Sequence, residues 1–300
     1  MKGLGVQRIV SNALSFSAWL SFLMTGSPSF AQPPPNYYID ADLTSRTALR
    51  ASVHEIIDDH KRFPYTSNLT DTWDLVNRAD QDPSNSLRVL TIYKNASYQK
   101  IEGGRGSYNR EHLWPKSYGF PEDTSENYPY TDLHHLVAAD ASYNSSRGNL
   151  PFGACPSACK SKDVSSKHQR PTVEIQGLSE ANWRSGTGAS GIWEVWSERR
   201  GDVARAMFYM AVRYEGDKHS ITGASEPDLE LTDDENLIQR SNTGKNEERG
   251  FMGRLSILLS WHYSDPVDDR ERRRNDVVFE YQGNRNPFID NPHWVGYIFE

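Results

Sequence analysis

Apolar residues recur at helical spacing in several stretches of the chain. Leu49, Val53, Ile56 and Ile57 share one face, so Ser45 to Lys61 reads as an amphipathic helix, and Asp71 ahead of Trp73, Leu75 and Val76 starts a second. Later, Val203, Ala206, Met207, Met210, Ala211 and Tyr214 form a stripe at i, i+3, i+4, i+7, i+8 and i+11, a strong helix pattern in which the methionines are core. Leu255 to Trp261 and Asp268 to Phe279 read as further helices. Between these runs the pattern turns extended. Val89 to Tyr93 is short and β-rich, Arg110 to Trp114 is stopped by Pro115, and Leu133 to Ala138 is a second short apolar strand. Asp140 or Ser142 then caps a helix that carries Asn144 and Arg147 three residues apart on one face. The predicted order is strand, loop, strand, helix, which brings His112 and Asn144 together.

That stretch carries the chemistry. A carboxylate beside an imidazole (Glu111, His112), with an amide and a guanidinium from a later element (Asn144, Arg147), supplies a metal ligand, a general base, a second oxygen ligand and a phosphate clamp. This is the composition of a one-metal phosphodiesterase site. Neighbouring residues on a strand point to opposite faces, so Glu111 and His112 both aim inward only if the strand twists or bulges near Glu111.

The N-terminus reads as a secretory signal peptide over residues 1–31: Lys2 and Arg8 are the positive region, Ala13 to Met24 a short, mostly apolar stretch, and Ser29-Phe30-Ala31 the cleavage signature. An uncleaved anchor is the alternative. The apolar run is too short and Ser-rich to span a bilayer alone, and no later window approaches the roughly 20 apolar residues a transmembrane helix needs. Residues 32–300 are therefore expected as one secreted or periplasmic domain with no membrane association, led by Pro33-Pro34-Pro35. Cys155 to Lys167 and Gly216 to Gly250, which includes the acidic run Asp233-Asp234-Glu235, are polar enough to be long loops. There is no internal repeat.

The formal charge of −7 becomes −9 once the two positive charges of Lys2 and Arg8 leave with the signal peptide. An acidic total argues against a nucleic-acid partner, but the cations cluster: Lys160, Lys162, Lys167 and Arg170; Arg199, Arg200 and Arg205; Arg270, Arg272, Arg273 and Arg274. Each cluster taken alone is also readable as a solvated face. The two cysteines, Cys155 and Cys159, are expected as a disulfide closing a small loop of modest energetic weight, with a zinc half-site or free thiols as the alternatives.

The motif residues resemble the endonuclease I family of secreted and periplasmic nucleases, in the ββα-metal or His-Me finger group. The likeness rests on Asn109-Arg110-Glu111-His112-Leu113-Trp114-Pro115, Thr131-Asp132-Leu133-His134-His135-Leu136 and Asn144-Ser145-Ser146-Arg147-Gly148-Asn149. It extends to Gly201-Asp202-Val203-Ala204-Arg205-Ala206 and Gln282-Gly283-Asn284-Arg285-Asn286-Pro287-Phe288, and so runs from about Trp73 to the C-terminus. The resemblance implies an α+β fold, a helix-rich single domain built around a small ββα-metal core. It also implies a non-specific endonuclease for DNA, often RNA also, that leaves 5′-phosphate and 3′-hydroxyl ends, with no protein partner.

By that resemblance His112 is the general base, and Glu111 and Asn144 hold a divalent metal through oxygen. Hard oxygen ligands suit Mg²⁺, with Mn²⁺ or Ca²⁺ as substitutes. Arg147 either clamps phosphate or ties its helix to an acidic partner. His134 matches a family position as a hydrogen-bonding support, His135 stands where many relatives have Asn, and Asn149 and Arg205 are supporting candidates outside the reacting set. Some members carry a cysteine-rich insert with an extra phosphate-binding arginine between the two motif strands; this chain has a short loop there. Two other readings use the same residues. One is a zinc hydrolase built on His112, His134 and His135, which lacks a His-Glu-x-x-His helix; the other is a non-catalytic secreted nucleic-acid-binding module, for which the Glu, His and Asn set is superfluous.

Overall fold

A computed structural model of the chain describes residues 1, 32–101, 106–156, 159–165 and 181–300. Residues 2–31 of the proposed signal peptide, Lys167 and Arg170 lie outside the described residues. In chain order the helices are α1 (Arg46–Ile57), α2 (Thr72–Ala79), α3 (Ala141–Arg147), α4 (Arg200–Arg213), α5 (Glu235–Ser241), α6 (Leu255–Ser264), α7 (Asp269–Gln282), α8 (Pro287–Asp290) and α9 (Trp294–Phe299). The strands are β1 (Gln81–Asp82), β2 (Asn85–Leu90), β3 (Ser97–Gln99), β4 (Tyr108–His112), β5 (Leu136–Asp140), β6 (Lys160–Asp163), β7 (Ala181–Ser185), β8 (Ile192–Glu194), β9 (Asp228–Leu231) and β10 (Arg249–Met252).

The helices begin where side chains can satisfy their free N–H groups. Ser45 caps α1, and Asp71 with Asp74, and Asp268 with Glu271, form reciprocal capping boxes at α2 and α7. α7 ends on Gly283 at φ 83°, a left-handed position that favours glycine. The apolar stripe of α4 is buried all round, because α1, α6, α8 and β9 pack on it. Gly201 opens this helix so close to the Asp265 carbonyl that an added Cβ would lie 2.0 Å from the oxygen, which excludes any side chain there.

Three expectations are adjusted. Val89 and Leu90 end β2, while Ile92 has left that strand and donates its N–H to the Ala138 carbonyl of β5. β5 begins at Leu136 rather than Leu133, because Asp132 turns the chain and its carbonyl accepts from the N–H groups of His135 and Leu136. The polar stretch 216–250 is not one loop: it contains β9, α5 and the start of β10, with β9 and β10 paired in parallel. Cys155 and Cys159 are bonded to each other. No described helix is long and apolar enough to cross a membrane.

The segment that positions the chemistry is the antiparallel β4–β5 pair followed directly by α3. Tyr108 faces Asp140 and His112 faces Leu136 in an unbroken register. Both faces of this pair are covered. Val137 and Ala139 join one apolar core with α4, whereas Tyr108, Leu136 and Ala138 join a second with Trp73, Val76 and Val278. Burial on both sides is why the polar residues of β4 have to find protein partners.

Candidate active site

His112 is the last residue of β4 and is 8% exposed. Its Nε2 lies 2.8 Å from the Tyr130 carbonyl. A carbonyl only accepts, so Nε2 carries the proton and Nδ1 keeps its lone pair. The ring is packed against Tyr65, Tyr130 and His135. Burial first, then the His135 ring and the charges of Lys116 and Arg110, hold His112 well below the usual histidine range, with the Tyr130 carbonyl opposing them. The imidazole is neutral at physiological pH and its tautomer is set. Those are the properties of a general base.

The pleat of β4 sends its neighbours the other way. Asn109 and Glu111 face α3, where Asn144 Nδ2 donates to Asn109 Oδ1 at 2.7 Å and to the Arg110 carbonyl at 3.3 Å. With both amide hydrogens engaged, Asn144 Oδ1 is the remaining donor atom for a cation. Glu111 Oε1 accepts from Tyr93 Oη at 2.7 Å and from Arg147 Nη1 at 3.0 Å, and neither bond uses Oε2. Burial pushes the Glu111 carboxyl up, against the pull of Arg147 and Tyr93. The register is unbroken, so β4 has no bulge at Glu111; the Glu111 carboxylate turns to Tyr93 and Arg147, and the His112 ring packs on Tyr65, Tyr130 and His135.

Arg147 is 1% exposed, and its guanidinium is distributed among Glu111, the His112 carbonyl at 3.0 Å and the Leu113 carbonyl at 2.7 Å. Of the two roles open from sequence, these contacts belong to the tie between helix and acidic partner. The other motif residues are supports. His134 Nε2 meets the Asn284 carbonyl at 3.2 Å, and His135 Nε2 meets the Pro129 carbonyl at 2.7 Å. Asn149 reaches Asn242 at 3.0 Å, while Arg205 grips both oxygens of Glu271 at 2.6 Å, deep beside α4.

Several contributors carried no sequence signal. Tyr65, Tyr93 and the Tyr130 carbonyl touch the motif residues yet belong to no recognisable pattern, and Asn109 stood in the motif without an assigned role. Asp132 stood in the motif without an assigned role, and it is the hub of the turn before β5. Its fully buried carboxylate accepts from Tyr209 and Tyr214 hydroxyls at 2.8 Å each, from the His134 N–H at 2.9 Å and from Gln282 at 3.1 Å. Against burial, which pushes it up, the nearby His60, His134 and His135 rings and the His134 N–H hold its carboxyl well below the ordinary value. Gln282 and Asn284 thus explain why the C-terminal motif accompanies the central one.

Four arginines of these clusters turn inward. Arg199 pairs with Asp268, Arg205 with Glu271, Arg270 with Asp202, and Arg274 with Asp80. A concavity of about 1170 Å³ is unsuited to a polyanion, because Glu122, Glu126, Glu215, Asp217, Glu226, Asp228, Glu247 and Glu248 line it. Among the described residues, three ligand atoms of His, Asp, Glu or Cys lie within 4.8 Å of one another at His54, Asp58 and Asp217, at the C-terminal end of α1, and this group could hold a metal ion. His112, His134 and His135 form no such group: each presents Nε2 to a different backbone carbonyl.

Comparison with known proteins decides the family. Residues 45–293 match endonuclease I. The chain belongs to the endonuclease I family. It is accordingly an enzyme, a nuclease. The chain is 39% identical over 266 residues to an extracellular ribonuclease of Bacillus amyloliquefaciens, covering 88% of this chain and 78% of that relative. A second extracellular ribonuclease, from Bacillus subtilis strain 168, is 38% identical over the same length, with the same coverage.

Proposed function

We propose that residues 32–300 act, after loss of the leader at 1–31, as one secreted, metal-dependent endonuclease domain that hydrolyses the phosphodiester bonds of RNA and DNA without sequence preference. The products carry 5′-phosphate and 3′-hydroxyl ends. The observation that carries this reading is the Nε2 contact of His112 with the Tyr130 carbonyl, which leaves a neutral imidazole with a free Nδ1 at the end of β4. The names of the two bacillary relatives support secretion and RNA as a substrate.

In this mechanism His112 Nδ1 removes a proton from the attacking water, and the Tyr130 carbonyl stabilises the imidazolium that results. The donor set suits a hard divalent ion: Glu111 Oε2 and Asn144 Oδ1 are oxygens outside the bonds that orient their own side chains. When bound, Mg²⁺, or Mn²⁺ or Ca²⁺ in its place, supplies positive charge to the scissile phosphate and to the 3′-oxygen as it leaves. Because Glu111 turns to Tyr93 and Arg147 while His112 packs on Tyr65 and Tyr130, the substrate lies across the strand end that His112 terminates. Water is the nucleophile, so the ribose 2′-hydroxyl is not required and both nucleic acids are substrates.

The test is incubation of purified mature protein with supercoiled plasmid and with RNA, each with and without a chelator. Nicking and linearisation of the plasmid, loss of the RNA and suppression of both by chelation are expected. Binding of either polymer without turnover would leave the non-catalytic module, and activity restored by Zn²⁺ but not Mg²⁺ would favour the zinc hydrolase.

A further inference from the structure

We propose that Lys116 is a catalytic residue of this nuclease, its ammonium holding a non-bridging oxygen of the scissile phosphate opposite His112. The proposal rests on the nuclease reading of the same site. Its starting point is that Arg147, the cation best placed by sequence for that task, is enclosed by Glu111 and two backbone carbonyls. A polyanionic substrate still requires a cation at the reacting bond.

The cations close to His112 can be sorted by what already holds them. Arg110 is 9% exposed, lies between the rings of Tyr65 and Trp73, and donates to the Tyr65 carbonyl, Thr66 and Thr72. It has no face left for a ligand. Lys116 is half-buried, in the turn directly after Pro115. Its Nζ donates to Tyr130 Oη at 2.7 Å and lies 4.6 Å from the centroid of the same ring. The His112 ring is 5.0 Å from that Tyr130 centroid, so the base and the ammonium border the same tyrosine.

Two features set Lys116 apart from the remaining cations. Among the described residues no carboxylate pairs with it, whereas Lys94 pairs with Asp140, and Arg184 gives its two terminal nitrogens to Ser146 and the Gly186 carbonyl. A half-buried ammonium with one hydroxyl and a π face as partners has two N–H groups to spare, and its partial desolvation is offset when an anion arrives. Its turn is also held firmly: the Phe120 N–H bonds the Lys116 carbonyl at 3.0 Å, and Trp114 Nε1 bonds the Tyr118 carbonyl at 3.0 Å. The ammonium is therefore presented at a defined place beside the base. Lysine acts as a point charge there, which suits a non-bridging oxygen whose direction changes as the phosphate inverts.

The experiment compares the mature protein with its Lys116→Gln and Lys116→Arg variants in single-turnover cleavage of DNA and RNA. In parallel, binding is titrated against salt in His112→Ala and in His112→Ala/Lys116→Gln, both slowed enough for binding to be read before cleavage. Lys116→Gln is expected to lower the single-turnover rate at saturating substrate by about 10²-fold. It should also reduce the log–log salt slope by about 0.7 to 0.9, the loss of one phosphate contact. Lys116→Arg, which keeps the charge, should recover most of both. A full rate in Lys116→Gln, or an unchanged slope with a rate loss matched by a lower melting temperature, overturns the proposal. A reduced slope at full single-turnover rate overturns the assignment to the scissile phosphate. If the unaltered protein cleaves neither polymer, the nuclease reading fails on its own, and the salt slope still decides whether Lys116 meets phosphate.

Discussion

Arg147 Nη1 sits 3.0 Å from Glu111 Oε1, and both side chains are nearly sealed from solvent, at 1% and 4% exposed. The pair joins the last turn of α3 to the penultimate residue of β4. The same guanidinium also takes the carbonyls of His112 and Leu113, so one side chain fixes both the carboxylate proposed as metal ligand and the backbone of the proposed base.

Removing the guanidinium would strand a buried carboxylate. Arg147→Ala is expected to destabilise the fold by about 3–5 kcal/mol, and Arg147→Lys by less, because charge survives while the fork that spans three acceptors does not. Single-turnover rate and melting temperature measured on one Arg147→Lys preparation separate the roles. A lower melting temperature with turnover preserved in the folded fraction is expected; an unaltered melting temperature with a collapsed chemical step would return Arg147 to the phosphate.

His112→Ala should cut the rate by about 10²–10⁴-fold, the usual cost of losing a general base. Fold and metal affinity should be largely retained, since the ring takes part in proton removal and not in coordination. Circular dichroism, calorimetric metal titration and cleavage on the same sample check this. Near-normal turnover by a folded His112→Ala protein would sink the mechanism.

Glu111→Ala and Asn144→Ala are expected to weaken metal binding, with activity partly restored as Mg²⁺ is raised; His112→Ala should show no such rescue. Titration calorimetry with metal alone reads the affinity directly. If both variants bind metal as tightly as the unaltered chain, the ion belongs elsewhere, and His54, Asp58 and Asp217 are the residues to substitute next.

Asp132 links pH to stability. Its folded carboxyl titrates below its ordinary value of 3.8, so the stability it contributes is complete above that value and is lost as pH falls through it toward the folded value. Asp132→Asn should therefore cost about 3 kcal/mol or more at neutral pH, because a buried anion with four donors is replaced by an amide that can accept from only some of them. The gap between variant and unaltered protein should narrow in acid. Denaturant unfolding at neutral pH and in acid measures it, and a difference independent of pH would mean that Asp132 is not ionised in the folded protein.

The main helices were legible from sequence because their signals are local: an apolar stripe at period 3.6 and a capping residue locate α1, α2, α4, α6 and α7 within a few residues. The strand, loop, strand, helix order around Glu111, His112 and Asn144 was legible too, since Pro115, Asp132 and Asp140 punctuate it. The pairs β9–β10 and β7–β8 were not. Their strands are short, and they are stabilised by partners that the chain pattern does not announce.

Sequence by itself determined the family-bearing residues, the elements that carry them and the residue types available for chemistry. Tertiary structure decided which of those residues have free valence. Arg147 read as a possible phosphate clamp and Arg205, Arg270 and Arg274 as members of basic clusters, yet each is consumed by a carboxylate brought from elsewhere in the chain. Lys116, unremarked in sequence, keeps its ammonium outside any ion pair among the described residues. The physical reason is that a buried charge has to be matched at contact distance, and its match here is set by packing between segments far apart along the chain. Glu111 finds Tyr93 and Arg147, and Asp132 finds Tyr209, Tyr214 and Gln282, only once α3, α4 and α7 have closed over the β4–β5 pair.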